Sequence, residues 1–539
     1  MKVALRVAAL FLILAVSLAD LVSVGAEGGT AARSARSRSP GLDTVRLAVR
    51  QGRTPSFQSD VTVRPTASMG PIPEGGFHAI PGRPDIAPSD TTGAAGATHV
   101  VTAVNIDYAV YPKTAAMTPP PATPPLVTGT LRSLFPGLPG GTIVFDPKVV
   151  YDPYHGQFVL VFLAGHGRPF GPGGNQSWIL VVTIPEGSAA DQGTWCRRRL
   201  RGDQVAKDGA QFADYPGLGF DRKRVYVTTN QFSFKGIKAF EYAQIVALWK
   251  SGLYRCGQKV RREVFAGEET RDGTRDRAFT IQPAITEGAT GRTPEFLVSF
   301  QDKSCGSGCG KRLTVWRIKK RPGEGLTLAR DSIGVGRTQV APLGTQKDGS
   351  PTCSIVQHCW DAGDLRLVTA FYDAARDRLY TAHAVRQDVA PGDGYLEAVV
   401  RWYEVDPSPI TRSAVTRRGD LGTSGRDGGW ASVVTDAAGN LFVNFNRAGA
   451  PAGGEYLSAV AATIPPGTST PDAVTVLQPG EALYVAKPGR PQRWGDFTAA
   501  NRDPLDPADV WLVNQFARAD ADGPPTPFWQ QSVHRVSFG

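Results

Sequence analysis

One pattern recurs along the 539 residues and constrains the fold more than any other feature: a small or apolar strand, a turn built on Asp, Gly or Pro, then an apolar or aromatic strand. Phe145 to Leu163 reads FDPKVVYDPYHGQFVLVFL and Tyr215 to Phe232 reads YPGLGFDRKRVYVTTNQF. Further copies occupy Gln282 to Phe300, Leu365 to Val385, Trp430 to Asn446 and Trp494 to Phe516, with a looser one at Thr98 to Tyr111. Each copy predicts a β-hairpin. Asp152, Asp221, Asp373, Asp436 and Asp503 stand where the first strand stops, a place that suits a short carboxylate able to bond the next backbone N–H groups. Third strands follow, such as WILVVTI at Trp178 to Ile184 and LTVWRI at Leu313 to Ile318, and fourth strands at Val260 to Phe265 and Ala473 to Leu477. Repeated four-stranded antiparallel units set around a channel make a propeller. The expected fold is all-β: a seven-bladed β-propeller spanning residues 96–539. The 61 glycines and 42 prolines beside an apolar content of 41% agree with many turns around an ordinary core.

A propeller has to join its ends, and the last unit runs out after a third strand. The missing strand is expected from segment 44–95, with Thr44 to Arg50 (TVRLAVR) and Asp60 to Arg64 (DVTVR) alternating suitably. Upstream, residues 27–43 read as a flexible arm and 1–26 as a secretory signal peptide. Lys2 and Arg6 precede the apolar run Val7 to Leu18, and Val24 and Ala26 stand where a signal peptidase reads. Cleavage near Ala26 and the lack of a later apolar span predict a secreted or surface-located monomer with no transmembrane segment in the mature chain. Six cysteines fit an oxidising compartment. The expected bridges are Cys305–Cys309, Cys353–Cys359 and Cys196–Cys256. Zinc is the rival for the first four, disfavoured by their spacing.

Several segments resemble a family of secreted bacterial β-propeller proteins, largely uncharacterised and often labelled sialidase-like. The segments are PSDTTGAAGATHV (Pro88 to Val100), FDPKVVYD (Phe145 to Asp152), DYPGLGFD (Asp214 to Asp221) and the run Arg493 to Phe516. The resemblance covers about residues 85 to 517. It implies an exported propeller and no particular activity.

A polar residue precedes the innermost strand of nearly every unit: Asp90, Asp146, Asp214, Gln282, Asp364, Asp427 and Asp496. Inner strands line the channel, so these side chains are expected to form a carboxylate-rich rim at one mouth. Such a rim suits Ca²⁺, with Asp146, Asp214, Asp364 and Asp496 as its candidate ligands, or the hydroxyls of a sugar. Trp360, Trp430 and Trp494 lie close by and are candidates to stack on a sugar ring. The opposing reading is that these acids only cap turns.

The expected function is a non-enzymatic extracellular binding propeller whose partner is a glycan or a cell-surface protein, with no nucleic acid. The alternative is a sialidase-like or other glycoside hydrolase. No unit carries the Ser-x-Asp-x-Gly-x-x-Trp box, and Gly-x-Ser-x-Gly, His-Glu-x-x-His and phosphate-loop motifs are missing. The formal charge is +10, with basic clusters at Arg197 to Arg201, Lys259 to Arg262, Arg317 to Arg321 and Arg417–Arg418. These read first as a solvated rim and second as an attraction for anionic polymers.

Overall fold

The computed structural model describes residues 71–539 apart from 84, 115–123, 172, 206–208, 236–238, 269–276, 301–308, 321–324, 392–394, 451–453, 520–527 and 539. The chain divides into two units, Met1–Ser68 and Met69–Gly539, and the first lies wholly outside the described residues. The signal peptide, the arm and both segments proposed to close the ring fall there.

Nearly every regular element of the second unit is a strand. Strand β1 is Pro71–His78. Strands β2 (Thr92–Ala95), β3 (His99–Val104), β4 (Asp107–Pro112) and β5 (Val127–Thr130) then form one antiparallel quartet in chain order. The next quartet is β6 (Ile143–Asp152), β7 (Gln157–His166), β8 (Gln176–Pro185) and β9 (Cys196–Arg201). It is followed by β10 (Gln211–Phe220), β11 (Arg224–Ser233), β12 (Phe240–Trp249) and β13 (Arg262–Ala266), with the single helical turn α1 (Lys250–Leu253) before β13. The pattern continues through β14 (Gln282–Glu287), β15 (Glu295–Phe300), β16 (Cys309–Lys320) and β17 (Leu326–Gln339). After these come β18 (Ala370–Asp373), β19 (Arg378–Gln387), β20 (Glu397–Asp406) and β21 (Ala414–Leu421). Then follow β22 (Asp427–Thr435), β23 (Leu441–Gly449), β24 (Glu455–Ile464) and β25 (Ala473–Gln478). The last three strands are β26 (Ala499–Arg502), β27 (Asp509–Arg518) and β28 (Phe528–Phe538). Their fourth position is taken by β1, antiparallel to β28 from Pro71 opposite Phe538 to His78 opposite Ser532. Short parallel contacts, Phe220 with Ile285 and Ala284 with Ala370, link the inner strands β10, β14 and β18. The chain is therefore nearly all-β and built of four-stranded antiparallel sheets.

The looser first copy is displaced by one strand. Thr98 to Tyr111 holds β3 and β4, whereas the innermost strand is β2, so His99 opens a second strand. The sequence of β2 is TGAA, too short and too small-sided to show a strand signal.

Burial explains why the middle strands read as unbroken apolar runs. In β7, Phe158, Leu160 and Phe162 pack with Val101 and Tyr108 of the preceding quartet. Val159, Val161 and Leu163, on the other face, pack with Phe212, Val225 and Val227 of the following one. Both faces are dry, and each such side chain contributes roughly 1.5–3 kcal/mol. Outer strands keep one face in water, and β25 alternates between half-buried and exposed residues.

The turn aspartates act as expected. The Oδ1 atoms of Asp152, Asp221, Asp373, Asp436 and Asp503 accept the backbone N–H of Tyr154, Lys223, Ala375, Gly439 and Leu505 at 2.6–3.1 Å. Two of the expected disulfides are present: Cys196–Cys256, with Cα atoms 4.9 Å apart, and Cys353–Cys359, at 5.7 Å. Cys305 of the third proposed pair lies outside the described residues. No described helix is long and apolar enough to cross a membrane.

Candidate functional site

The inner strands do not start as plain strands. Asp90, Asp146, Tyr215, Thr280 and Trp430 all have φ between 48° and 54°, the left-handed region, and none is glycine. The register slips beside three of them, between Phe145 and Lys148, between Asp214 and Gly217, and between Gly429 and Ser432. A left-handed non-glycine residue costs about 1–2 kcal/mol, so neighbouring contacts must impose it.

Those contacts run from quartet to quartet. Asp496 N–H donates to Asp90 Oδ1 at 2.8 Å, and Asn105 Nδ2 donates to the other oxygen of Asp90. Asp146 N–H donates to Asn105 Oδ1 at 2.9 Å, and Tyr215 N–H donates to Asp146 Oδ2 at 3.1 Å. Thr280 N–H donates to Asn230 Oδ1 at 2.8 Å. Thus polar side chains of one quartet, Asp146 at its inner strand, Asn105 in the β3–β4 turn and Asn230 on β11, hold the kinked backbone of the next. These rim groups stitch neighbouring sheets together.

The bulges also shift which residues are equivalent. Tyr215, not Asp214, matches Asp90 and Asp146 in backbone conformation, and Thr280 and Trp430 match them rather than Gln282 and Asp427. Asp427 lies apart, accepting Thr345 N–H at 2.8 Å, Thr345 Oγ1–H at 2.9 Å and Ala398 N–H at 3.0 Å. Gln282 lines a cavity of about 30 Å³ together with Thr92, Lys148, Leu218, Ala370 and Ala500, from six different quartets. Its Nε2 is buried without a hydrogen-bond partner.

Three cations that sequence reasoning missed lie among these acids and rings. Arg493 pairs with Asp496 at 2.7 Å. Arg366 pairs with Asp364 at 2.7 Å and approaches Asp496 at 4.0 Å, while its guanidinium covers the Tyr215 ring at 4.0 Å. Lys148 Nζ sits 3.5 Å from the centre of the Phe497 ring. All three were in plain view within quoted segments: Lys148 two residues after Asp146, Arg366 two after Asp364, Arg493 three before Asp496. The signal was the cation at short spacing from each acid.

Burial sets the charge states. It pushes Asp90 up to about 7, reinforced by Asp496, and pushes Asp146 well above the ordinary carboxylate range, reinforced by Asp214. Burial pushes Lys148 down to about 7 against the pull of Asp146, Asp90 and Asp496. Asp496 is buried too, yet Arg493 and Arg366 outweigh that and hold it below its usual value. For Asp90 the folded value lies above the unfolded one, so the folded chain holds an extra proton between about pH 4 and pH 7, and stability falls as pH rises through that window. An Asp90→Asn variant lacks this slope. Its stability relative to wild type, followed by urea unfolding from pH 4 to pH 8, is expected to improve by about 2–4 kcal/mol.

Two expectations for this region do not match its geometry. Among the described residues no group of three or more His, Cys, Asp or Glu is placed to hold a metal ion. Asp146, Asp214, Asp364 and Asp496 are therefore not grouped as a calcium set, and Arg366 reaches both Asp364 and Asp496. Trp360, Trp430 and Trp494 are at most 3% exposed and belong to the core. The indole N–H groups of the first two donate to Thr345 O and Asp361 O. None offers a face to a sugar.

No family model matches the chain, and no curated protein matches it in sequence. Among solved structures it is similar to a protein of unknown function from Dyadobacter fermentans, at 12% identity and TM-score 0.36 over 74% of this chain and 100% of that one. It is also similar to an α-L-arabinofuranosidase from Fusarium graminearum in complex with an iminosugar inhibitor, at 8% identity and TM-score 0.37 over 86% of this chain and 97% of that one. A third similar structure is the Trypanosoma rangeli sialidase in complex with sialic acid, at 10% identity and TM-score 0.33 over 73% of this chain. The match spans 53% of the sialidase, about half its length.

Proposed function

We propose that the chain is an exported seven-bladed β-propeller, closed by β1 on β28, that binds a glycan or surface partner at the mouth around Arg366 without chemically changing it. One observation carries the reading: the deeply buried rim acids are spent on backbone N–H groups, while the paired charges of Asp364 and Arg366 keep partial access to water. The Asp364 side chain is 36% exposed and that of Arg366 12%. Paired donors and acceptors at a mouth suit recognition of hydroxyl and carboxylate groups. Closure is supported by the pairing of the first described strand with the last. Export is supported by the two disulfides.

A glycoside hydrolase is the second reading. Asp90 and Asp496 are carboxyls pushed in opposite directions, the arrangement that yields an acid and an ionised partner. Against it, Asp90 is 1% and Asp496 6% exposed, so a glycosidic oxygen has no route to them.

Glycan-array binding with and without chelator, beside hydrolysis of aryl sialosides and other aryl glycosides, separates the two. The expected result is binding that Arg366→Gln weakens about tenfold or more, with no turnover. Turnover abolished by Asp90→Asn would overturn the binding reading.

A further inference from the structure

Residues of β2, β6, β10, β14, β18 and β26 line the cavity of about 30 Å³, and one of them carries a charge without a counter-ion. Lys148 of β6 is 6% exposed. Its ammonium makes one long hydrogen bond, to Val368 O at 3.4 Å, and rests on the Phe497 ring. Among the described residues it forms no ion pair. The charged groups nearby do not balance it. Arg366 and Arg493 are matched by Asp364 and Asp496, at 2.7 Å each. Burial drives Asp146 toward its neutral form and delays the ionisation of Asp90 to about pH 7. Below that pH, Lys148 is a buried cation in surplus. Buried charges in proteins are paired, because an isolated one has lost its hydration with nothing in return.

Other side chains of the same cavity supply donors. Gln282 Nε2 is buried without an acceptor. Thr92 Oγ1 accepts Val149 N–H and Thr369 Oγ1 accepts Val433 N–H, both at 3.1 Å, so each hydroxyl keeps its own proton to donate. Asn501 also lines the cavity, but its amide is spent: Oδ1 accepts Ala95 N–H at 3.0 Å, and Nδ2 donates to Ala95 O and Arg502 O at 2.9 Å. None of the described lining residues is acidic.

We propose that this cavity binds a single-atom anion of the halide class, held by the Lys148 ammonium, the Gln282 amide and the hydroxyls of Thr92 and Thr369. One water-sized occupant needs about 10–15 Å³, so the volume admits a chloride or bromide ion with little beside it and rejects sulfate, phosphate and sugar carboxylates. Water alone satisfies the donors and leaves the charge unbalanced. The ion joins side chains from four quartets, and it does so whatever binds around Arg366. Binding also depends on pH. Burial pushes Lys148 down to about 7, with Arg366 acting in the same direction and Asp146, Asp90 and Asp496 against it. The anion needs the ammonium, so affinity falls about tenfold for each pH unit above that value. Ionisation of Asp90 in the same window has the same sign.

The test is calorimetric titration of the full chain, in halide-free buffer, with sodium bromide and with sodium sulfate at matched ionic strength. Near pH 6, saturable binding of one bromide and no binding of sulfate are expected. Affinity is expected to drop about a hundredfold by about pH 9. Lys148→Met removes the charge and is expected to abolish binding, and Gln282→Leu to weaken it about tenfold. Bromide-free thermal melts of both variants report folding. If Lys148→Met does not fold, anomalous scattering from wild-type crystals grown in bromide decides, with a peak expected within hydrogen-bond reach of Lys148 Nζ and Gln282 Nε2. Bromide binding retained in a folded Lys148→Met, equal binding of sulfate, an affinity unchanged with pH, or a cavity holding water and no bromide would each overturn the assignment.

Discussion

Arg502→Ala is expected to lower the unfolding free energy by about 3–5 kcal/mol, the cost of stranding buried charges. The side chain is 13% exposed and ends where three other quartets meet. It pairs with Glu287 at 3.3 Å and Asp373 at 3.5 Å, residues directly opposite each other on β14 and β18. It also donates to Thr435 O, Thr435 Oγ1 and Asp436 O at 2.9–3.0 Å. Alanine leaves Glu287 without its cation, beside an Asp373 that keeps Arg376 at 2.7 Å, and frees two carbonyls. Arg502→Lys restores one charge without the planar fork and recovers only part of the loss. The deficit is expected to depend on pH. Burial pushes Glu287 up to about 7 even with Arg502 in place. Near pH 5 that carboxyl is already protonated in the folded chain, so losing the arginine costs less there than at pH 8. Urea unfolding at the two pH values measures the difference.

The second large effect concerns β1. A chain starting at Met69 keeps β1 and is expected to fold, whereas one starting at Pro81 is expected to lose the cooperative thermal transition and bind the dye ANS. The truncation removes the seven paired positions of β1 and the bond from Ala79 N–H to Gln531 O at 2.9 Å. It also uncovers Phe77 and Ile80 contacts in the cluster that holds Trp529 and Val533. An exposed edge on β28 with unpaired backbone groups invites association with other chains. In the full chain, Phe77→Asp places a charge where the aromatic ring sits 4.9 Å from Tyr111, and is expected to lower the melting temperature steeply. Two truncations that differ by 12 residues yet behave alike would show that the β1–β28 pairing contributes little.

What the sequence disclosed followed from how each residue is buried. The hairpins were legible because strands dry on both faces, such as β7, are continuous apolar runs. The turn aspartates were legible because a carboxylate at a strand end has one dominant local use. Outer strands were harder to read. β9 and β21 are rich in arginine, and only Cys196 and the neighbouring sheet mark β9 as a strand at all. The mouth was half legible. Its acids were found, but counting back from each strand put Asp214, Gln282 and Asp427 in line with Asp90, and the bulges place Tyr215, Thr280 and Trp430 there. A bulge adds a residue without any composition of its own, so spacing alone cannot register it. The tryptophans misled for a related reason: an indole beside a polar motif has the same sequence signature whether it faces a ligand or the core.

The pairing of β1 with β28 also has a consequence in time. A ribosome delivers β1 early and β28 last, more than 400 residues later, while β6 to β9 or β22 to β25 are complete as soon as one short stretch has emerged. Sheets of local strands can therefore form during synthesis, and the last sheet, where β26 and β27 pair locally, cannot be completed before β28 appears. Until then β1 is an orphan, and the half-built molecule shows an open flank at each end. A chain with this order of events completes its last sheet only once β28 has emerged to meet a strand made more than 400 residues earlier.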